Sequence, residues 1–216
     1  MPPPGAPGAR LVVAMTGATG AIYGIRLLEA LEASQVETHL VISGWAEKTI
    51  VAETSWRPAE VRRLADHVYA EGDLDAPPGR EGFAARGMVV APCSMKSLAA
   101  IANGIVENLI HRAAELALEE RRRLLLLVRE SPLSVIHLEN MLRVARAGAL
   151  VMPPVPAFYA KPRTLDDMVD HTVGRMLDHF DVPHELVRRW GERRHGVWTP
   201  RIEPGGRAGG SGARGS

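Results

Sequence analysis

Cysteine is nearly absent from this 216-residue chain, where Cys93 stands alone. A single thiol excludes an internal disulfide and any cysteine-cluster metal centre, and it fits a reducing, cytoplasmic compartment. An excess of one charge is missing too. Lys and Arg number 26 against 25 Asp and Glu, so no long-range field points to nucleic acid or to a membrane surface. No apolar run approaches the roughly 20 residues that a bilayer span needs. The start, Met1-Pro-Pro-Pro-Gly-Ala-Pro-Gly8, has neither a charged segment nor an apolar core, and no signal peptide is expected. The eight histidines show no pair at metal-ligand spacing, so no metal is expected. No internal repeat is visible.

What is present suits one soluble domain: 46% of the residues are hydrophobic, enough for a sizeable single core. Residues 1–9 are rich in Pro and Gly, and 199–216 in Gly, Arg and Ser. Both read as disordered tails flanking a domain over 10–198. Within it, apolar strands alternate with helices. Strands are expected at Leu11–Met15, Glu37–Ser43, Met88–Ala91, Arg123–Val128 and Ala149–Met152. Helices are expected at Ala21–Ala33, Glu47–Thr54, Arg57–Val68, Ser94–Asn103, Leu109–Glu120, Ser134–Ala147 and Thr164–Phe180, with a long loop over Asp73–Ala85. Such β-α-β alternation implies an α/β fold with a parallel sheet covered on both faces.

Two strand-to-helix turns carry the chemistry. One breaks at Gly17 and Gly20, the other at Pro92 before the hydroxyls Ser94 and Ser97. Glycine lets backbone N–H groups approach an anion, and the helix that follows adds roughly half a positive charge at its start. Two such turns in one parallel sheet suggest a nucleotide lying across the carboxyl ends of the strands. A dinucleotide is disfavoured, because the second strand ends Val41-Ile42-Ser43-Gly44 with no acid for a ribose. A mononucleotide such as FMN fits better, with Ser43 as a third contact. Arg129-Glu130 follows a buried strand, where ligands gather. Cys93 precedes a helix but is expected to be a small buried residue rather than a nucleophile.

Six ordered motifs resemble the UbiX-type flavin prenyltransferases: Gly17-Ala-Thr-Gly-Ala-Ile-Tyr-Gly24, Pro92-Cys-Ser-Met-Lys-Ser-Leu-Ala99, Asn108-Leu-Ile-His-Arg-Ala-Ala114, Val128-Arg-Glu-Ser-Pro-Leu133, His137-Leu-Glu-Asn-Met141 and Pro153-Pro-Val-Pro-Ala-Phe-Tyr159. The resemblance implies a flavodoxin-like (Rossmann-like) three-layer sandwich that assembles into a dodecamer. It implies transfer of a dimethylallyl group from dimethylallyl phosphate to reduced FMN, at N5 and then C6, without a metal. The product would serve a UbiD-type decarboxylase. By the same resemblance Gly17, Ala18, Thr19, Ser43, Ser94, Met95, Lys96, Ser97 and Arg129 hold FMN. Arg112, Tyr159 and Arg175 hold the prenyl phosphate, Trp190 walls the prenyl group, and Glu130 and Glu53 handle protons, with Tyr159 as a catalytic donor.

Three departures stand out. Thr19 replaces the family's usual Ser. Gly79-Arg-Glu-Gly-Phe83 replaces a Ser-Gly-Ser segment, with Arg80 as a substitute cation. Glu119 stands where the family has a Lys near the prenyl phosphate. Two alternatives stay open beside the transferase: an FMN-dependent decarboxylase of the cysteine-decarboxylase type, and a flavin-binding homologue that has lost turnover.

Overall fold

A computed structural model describes residues 10–187. Six parallel strands form one sheet: β1 (Arg10–Met15), β2 (Glu37–Ile42), β3 (His67–Tyr69), β4 (Gly87–Cys93), β5 (Arg123–Val128) and β6 (Leu150–Val151). Their order is β3-β2-β1-β4-β5-β6. Without the three-residue edge strand β3, this is the flavodoxin-type winding, with its reversal between β1 and β4. The helices are α1 (Ala21–Ala33), α2 (Gly44–Glu53), α3 (Pro58–Arg62), α4 (Met95–Ala102), α5 (Leu109–Glu119), α6 (Val135–Ala147) and α7 (Leu165–His179).

Alternation along the strands divides the core in two. Leu11, Val13 and Met15 of β1 face a cluster with Ile25 and Leu28 of α1, Ile50 of α2 and Met176 of α7. Val12 and Ala14 face the other side, with Leu98 of α4, Leu109 and Ala113 of α5 and Val144 of α6. Both sheet faces are therefore buried, which is why β5 reads as an unbroken apolar run, Leu124 to Val128. Gly24 lets α1 lie close on the sheet: a Cβ there would stand 2.4 Å from the Ala91 carbonyl oxygen.

The structure corrects the expected helix over Arg57–Val68. It ends at Arg62, and β3 follows. The Asp66 carboxylate accepts from the Thr38 N–H at 2.8 Å and from its hydroxyl at 3.0 Å. The backbone bond from Thr38 leads in holding that carboxyl below its usual range. These bonds turn the chain into register beside β2, where Val68 and Tyr69 suit a strand. α2 also begins three residues before the expected Glu47, because the Ser43 hydroxyl accepts from the Ala46 N–H at 3.1 Å and caps it. The expected loop over Asp73–Ala85 contains one 3-10 turn, Pro77–Gly79. No described helix is long and apolar enough to cross a membrane.

Candidate functional site

Four strands deliver their following residues to one edge. The Ser43 N–H donates to the Met15 carbonyl at 3.0 Å, and the Arg129 N–H to the Cys93 carbonyl at 3.2 Å. The two phosphate-type turns are latched directly to each other. Thr16 donates its hydroxyl proton to the Pro92 carbonyl at 2.9 Å, and its Oγ1 accepts from the Ser94 N–H at 2.7 Å. Gly17, Ala18, Thr19, Ser43, Ser94, Met95, Lys96, Ser97 and Arg129 thus come from four adjacent turns at the reversal of the sheet.

The local chemistry suits an anion beside a flat ring. Ser94 caps α4, its Oγ accepting from the Ser97 N–H and lying 3.2 Å from the Ser97 hydroxyl. Met95 and Lys96 open that helix, so their N–H groups have no intrahelical acceptor. Lys96 is exposed and pairs with Glu107 at 2.9 Å. Gly17 is required by packing: a Cβ would come 2.4 Å from that of Trp45, at the start of α2. Gly20, with φ of +103°, adopts the left-handed conformation. Trp45 itself is 70% exposed beside this turn. Backbone donors, three hydroxyls, exposed cations and an exposed aromatic ring, over which the Lys48 ammonium lies at 4.1 Å, together match the demands of a flavin mononucleotide.

Glu53 has a part that its sequence position does not reveal. Its carboxylate accepts from the Gly20 N–H at 2.8 Å and the Ala21 N–H at 3.3 Å. It caps α1, for which Gly20 supplies no side chain. Glu130 is exposed next to Arg129 and accepts from the Ser131 N–H at 2.9 Å. Cys93 is fully buried, and burial pushes its thiol up to about 12, so it is not an attacking nucleophile near neutrality.

The residues expected to bind a second phosphate are divided. Tyr159 is exposed, and its hydroxyl lies 3.1 Å from Nε2 of His171, one helical turn before Arg175 on α7. Burial, then the Arg175 charge, lowers the His171 pKa, so that ring is neutral near pH 7. Burial leads in raising the Tyr23 pKa, against Thr172 of α7 and the Arg129 charge, which lower it. Arg112 lies on α5, across the sheet from α7. It pairs with Glu115 at 2.6 Å and reaches the Gly79 carbonyl at 3.4 Å. Glu119 is exposed near the end of the same helix, and Arg80 donates to the Asp75 carbonyl of its own loop at 2.6 Å. Trp190 lies outside the described residues.

Comparison with known proteins extends this geometry. A family model described as Flavoprotein matches residues 5–189. A probable UbiX-like flavin prenyltransferase of Bacillus subtilis is 52% identical over 181 residues, covering 84% of this chain and 89% of that protein. The crystal structure of AnUbiX (PadA1) with FMN and dimethylallyl pyrophosphate is 55% identical, with a TM-score of 0.84 over 86% of this chain and 99% of the other. A dodecameric FMN-dependent UbiX-like decarboxylase from Escherichia coli O157:H7 is 49% identical, with a TM-score of 0.82 over 84% and 98% of the two chains. With the latched turns at the sheet reversal and this identity across the whole described fold, the chain belongs to the UbiX-like flavin prenyltransferases of the flavoprotein family.

Proposed function

We propose that this protein transfers a dimethylallyl group from dimethylallyl phosphate to reduced FMN, at N5 and then by ring closure at C6. The observation that carries the reading is the convergence of the Gly17–Gly20 turn, Ser43, Ser94–Ser97 and Arg129, in a chain about half identical to such enzymes. Bound FMN supplies the nucleophilic ring positions. The chain's own residues do the rest. Arg129, Lys96 and the hydroxyls of Ser43, Ser94 and Ser97 hold the flavin, and the capped start of α1 keeps the Gly17-Ala18-Thr19 turn in place. Arg175, Arg112 and the Tyr159 hydroxyl neutralise the departing phosphate, for which guanidinium forks suit the oxygens. Glu130 receives or returns a proton beside the ring, and Trp190 shields the prenyl group from water.

Because α5 and α7 cover opposite faces of the sheet, one chain does not bring Arg112 to Arg175. The reading therefore includes a homo-oligomer, most simply a dodecamer, in which a neighbour completes the phosphate site. A cytoplasmic location and a UbiD-type decarboxylase as recipient of the product belong to the same proposal. The cysteine-decarboxylase alternative is disfavoured: α1 carries no histidine, and Pro153-Pro-Val-Pro156 lacks an asparagine. Incubation with dithionite-reduced FMN and dimethylallyl phosphate is expected to give a flavin heavier by one prenyl unit by mass spectrometry. Recovery of FMN alone would reject the transferase and leave a flavin carrier.

A further inference from the structure

A second cluster of chemistry-bearing side chains lies toward the amino ends of β2 and β3, away from the carboxyl edge that forms the cradle. Glu37 and His39 are two apart on β2 and so share a face. His67 is the in-register partner of His39 on β3. Oε1 of Glu37 lies 3.1 Å from Nε2 of His39 and 3.3 Å from Nε2 of His67. One donor atom from each residue lies within 4.8 Å of the others. No step of the proposed reaction uses them.

The surroundings are those of a ligand set with its outer partners in place. Nδ1 of the buried His39 is 2.9 Å from the Tyr69 hydroxyl, leaving Nε2 for the cluster. Metal-bound histidines are usually fixed by such a bond at their other nitrogen. Arg10 donates to the second oxygen of Glu37 at 3.0 Å, so Oε1 is the one turned to the histidines. His67 is half exposed and opens the cluster to water.

We propose that Glu37, His39 and His67 bind a divalent transition-metal cation of the Zn²⁺ type, with its remaining positions open to solvent. Two imidazoles and a carboxylate suit such borderline ions. With bonds of about 2.0–2.2 Å, tetrahedral donors sit roughly 3.3 Å apart. The Glu37–His39 and Glu37–His67 separations are close to that. The two imidazoles stack with centroids 4.6 Å apart, and a turn of the exposed His67 ring lets both aim at one ion. The ion displaces the protons that the imidazoles otherwise share with the carboxylate. It fastens the three-residue edge strand β3 to β2.

The test uses the tag-free full chain with FMN bound, titrated with Zn²⁺ by calorimetry and with Co²⁺ by visible absorption. One ion per chain and the intense bands of tetrahedral Co²⁺ are expected. His67→Ala should weaken binding by about tenfold or more, with flavin absorbance unchanged. Glu37→Gln, which keeps the side-chain shape, should do the same and serves if the first variant does not fold. Absence of saturable binding, or affinity unchanged in both variants, overturns the proposal and leaves a hydrogen-bonded cluster.

Discussion

Glu53 and Glu130 are both carboxylates at the same sheet edge, yet the backbone uses them differently. Glu53 holds two N–H groups at the start of α1, whereas Glu130, among the described residues, accepts from the next residue alone. Removing the first deletes a helix cap, worth about 1 kcal/mol. Glu53→Ala is therefore expected to lower the melting temperature by roughly 2–4 °C. Glu130→Gln should leave melting and FMN binding intact while slowing prenylation about tenfold or more, and Arg129→Ala should weaken FMN itself. Calorimetry and single-turnover rates separate these outcomes. Wild-type turnover in Glu130→Gln would return the Arg129–Glu130 pair to a structural role. The place of Glu130 just past a strand was legible because an unmistakable buried strand precedes it. The capping role of Glu53 was not, since it joins residues 33 apart in the chain.

Among the elements, long apolar strands and amphipathic helices were readable because burial on both faces writes itself into composition. β3 was not. It has three residues, two of them exposed, and its direction is set by hydrogen bonds between Asp66 and Thr38 that no local pattern announces. The same failure hid the Glu37–His39–His67 cluster, because a helix there would not put His67 beside His39. α6 shows what a single chain leaves unfinished. Val135, Leu138 and Leu142 share one face and are exposed, with Ile136 beside them. Such a patch marks an interaction surface. Leu138→Asp is expected to reduce the assembled mass in light scattering, while an unchanged mass would remove α6 from the interface.

For the whole molecule, the sheet reversal explains why the meeting of these turns could be located from motifs: four adjacent strands end there whatever the loops do. The proposed phosphate site could not be assembled the same way, because sequence does not state that α5 and α7 lie on opposite faces. Its proposed completion by a neighbour predicts complementation. Arg112→Ala and Arg175→Ala should each be inactive alone. Mixed oligomers made by refolding or co-expression should regain a fraction of the activity, since some sites then draw both arginines from intact copies. No recovery would mean that the two arginines act within one chain or in different steps.

The lone Cys93 turns the molecule into its own clock. Its thiol is sealed at the end of β4, in the strand that pairs with both β1 and β5. An alkylating reagent reaches it only when that central ladder parts, so labelling counts openings of the cradle rather than surface encounters. FMN, by favouring the closed form, should slow the clock in proportion to its occupancy.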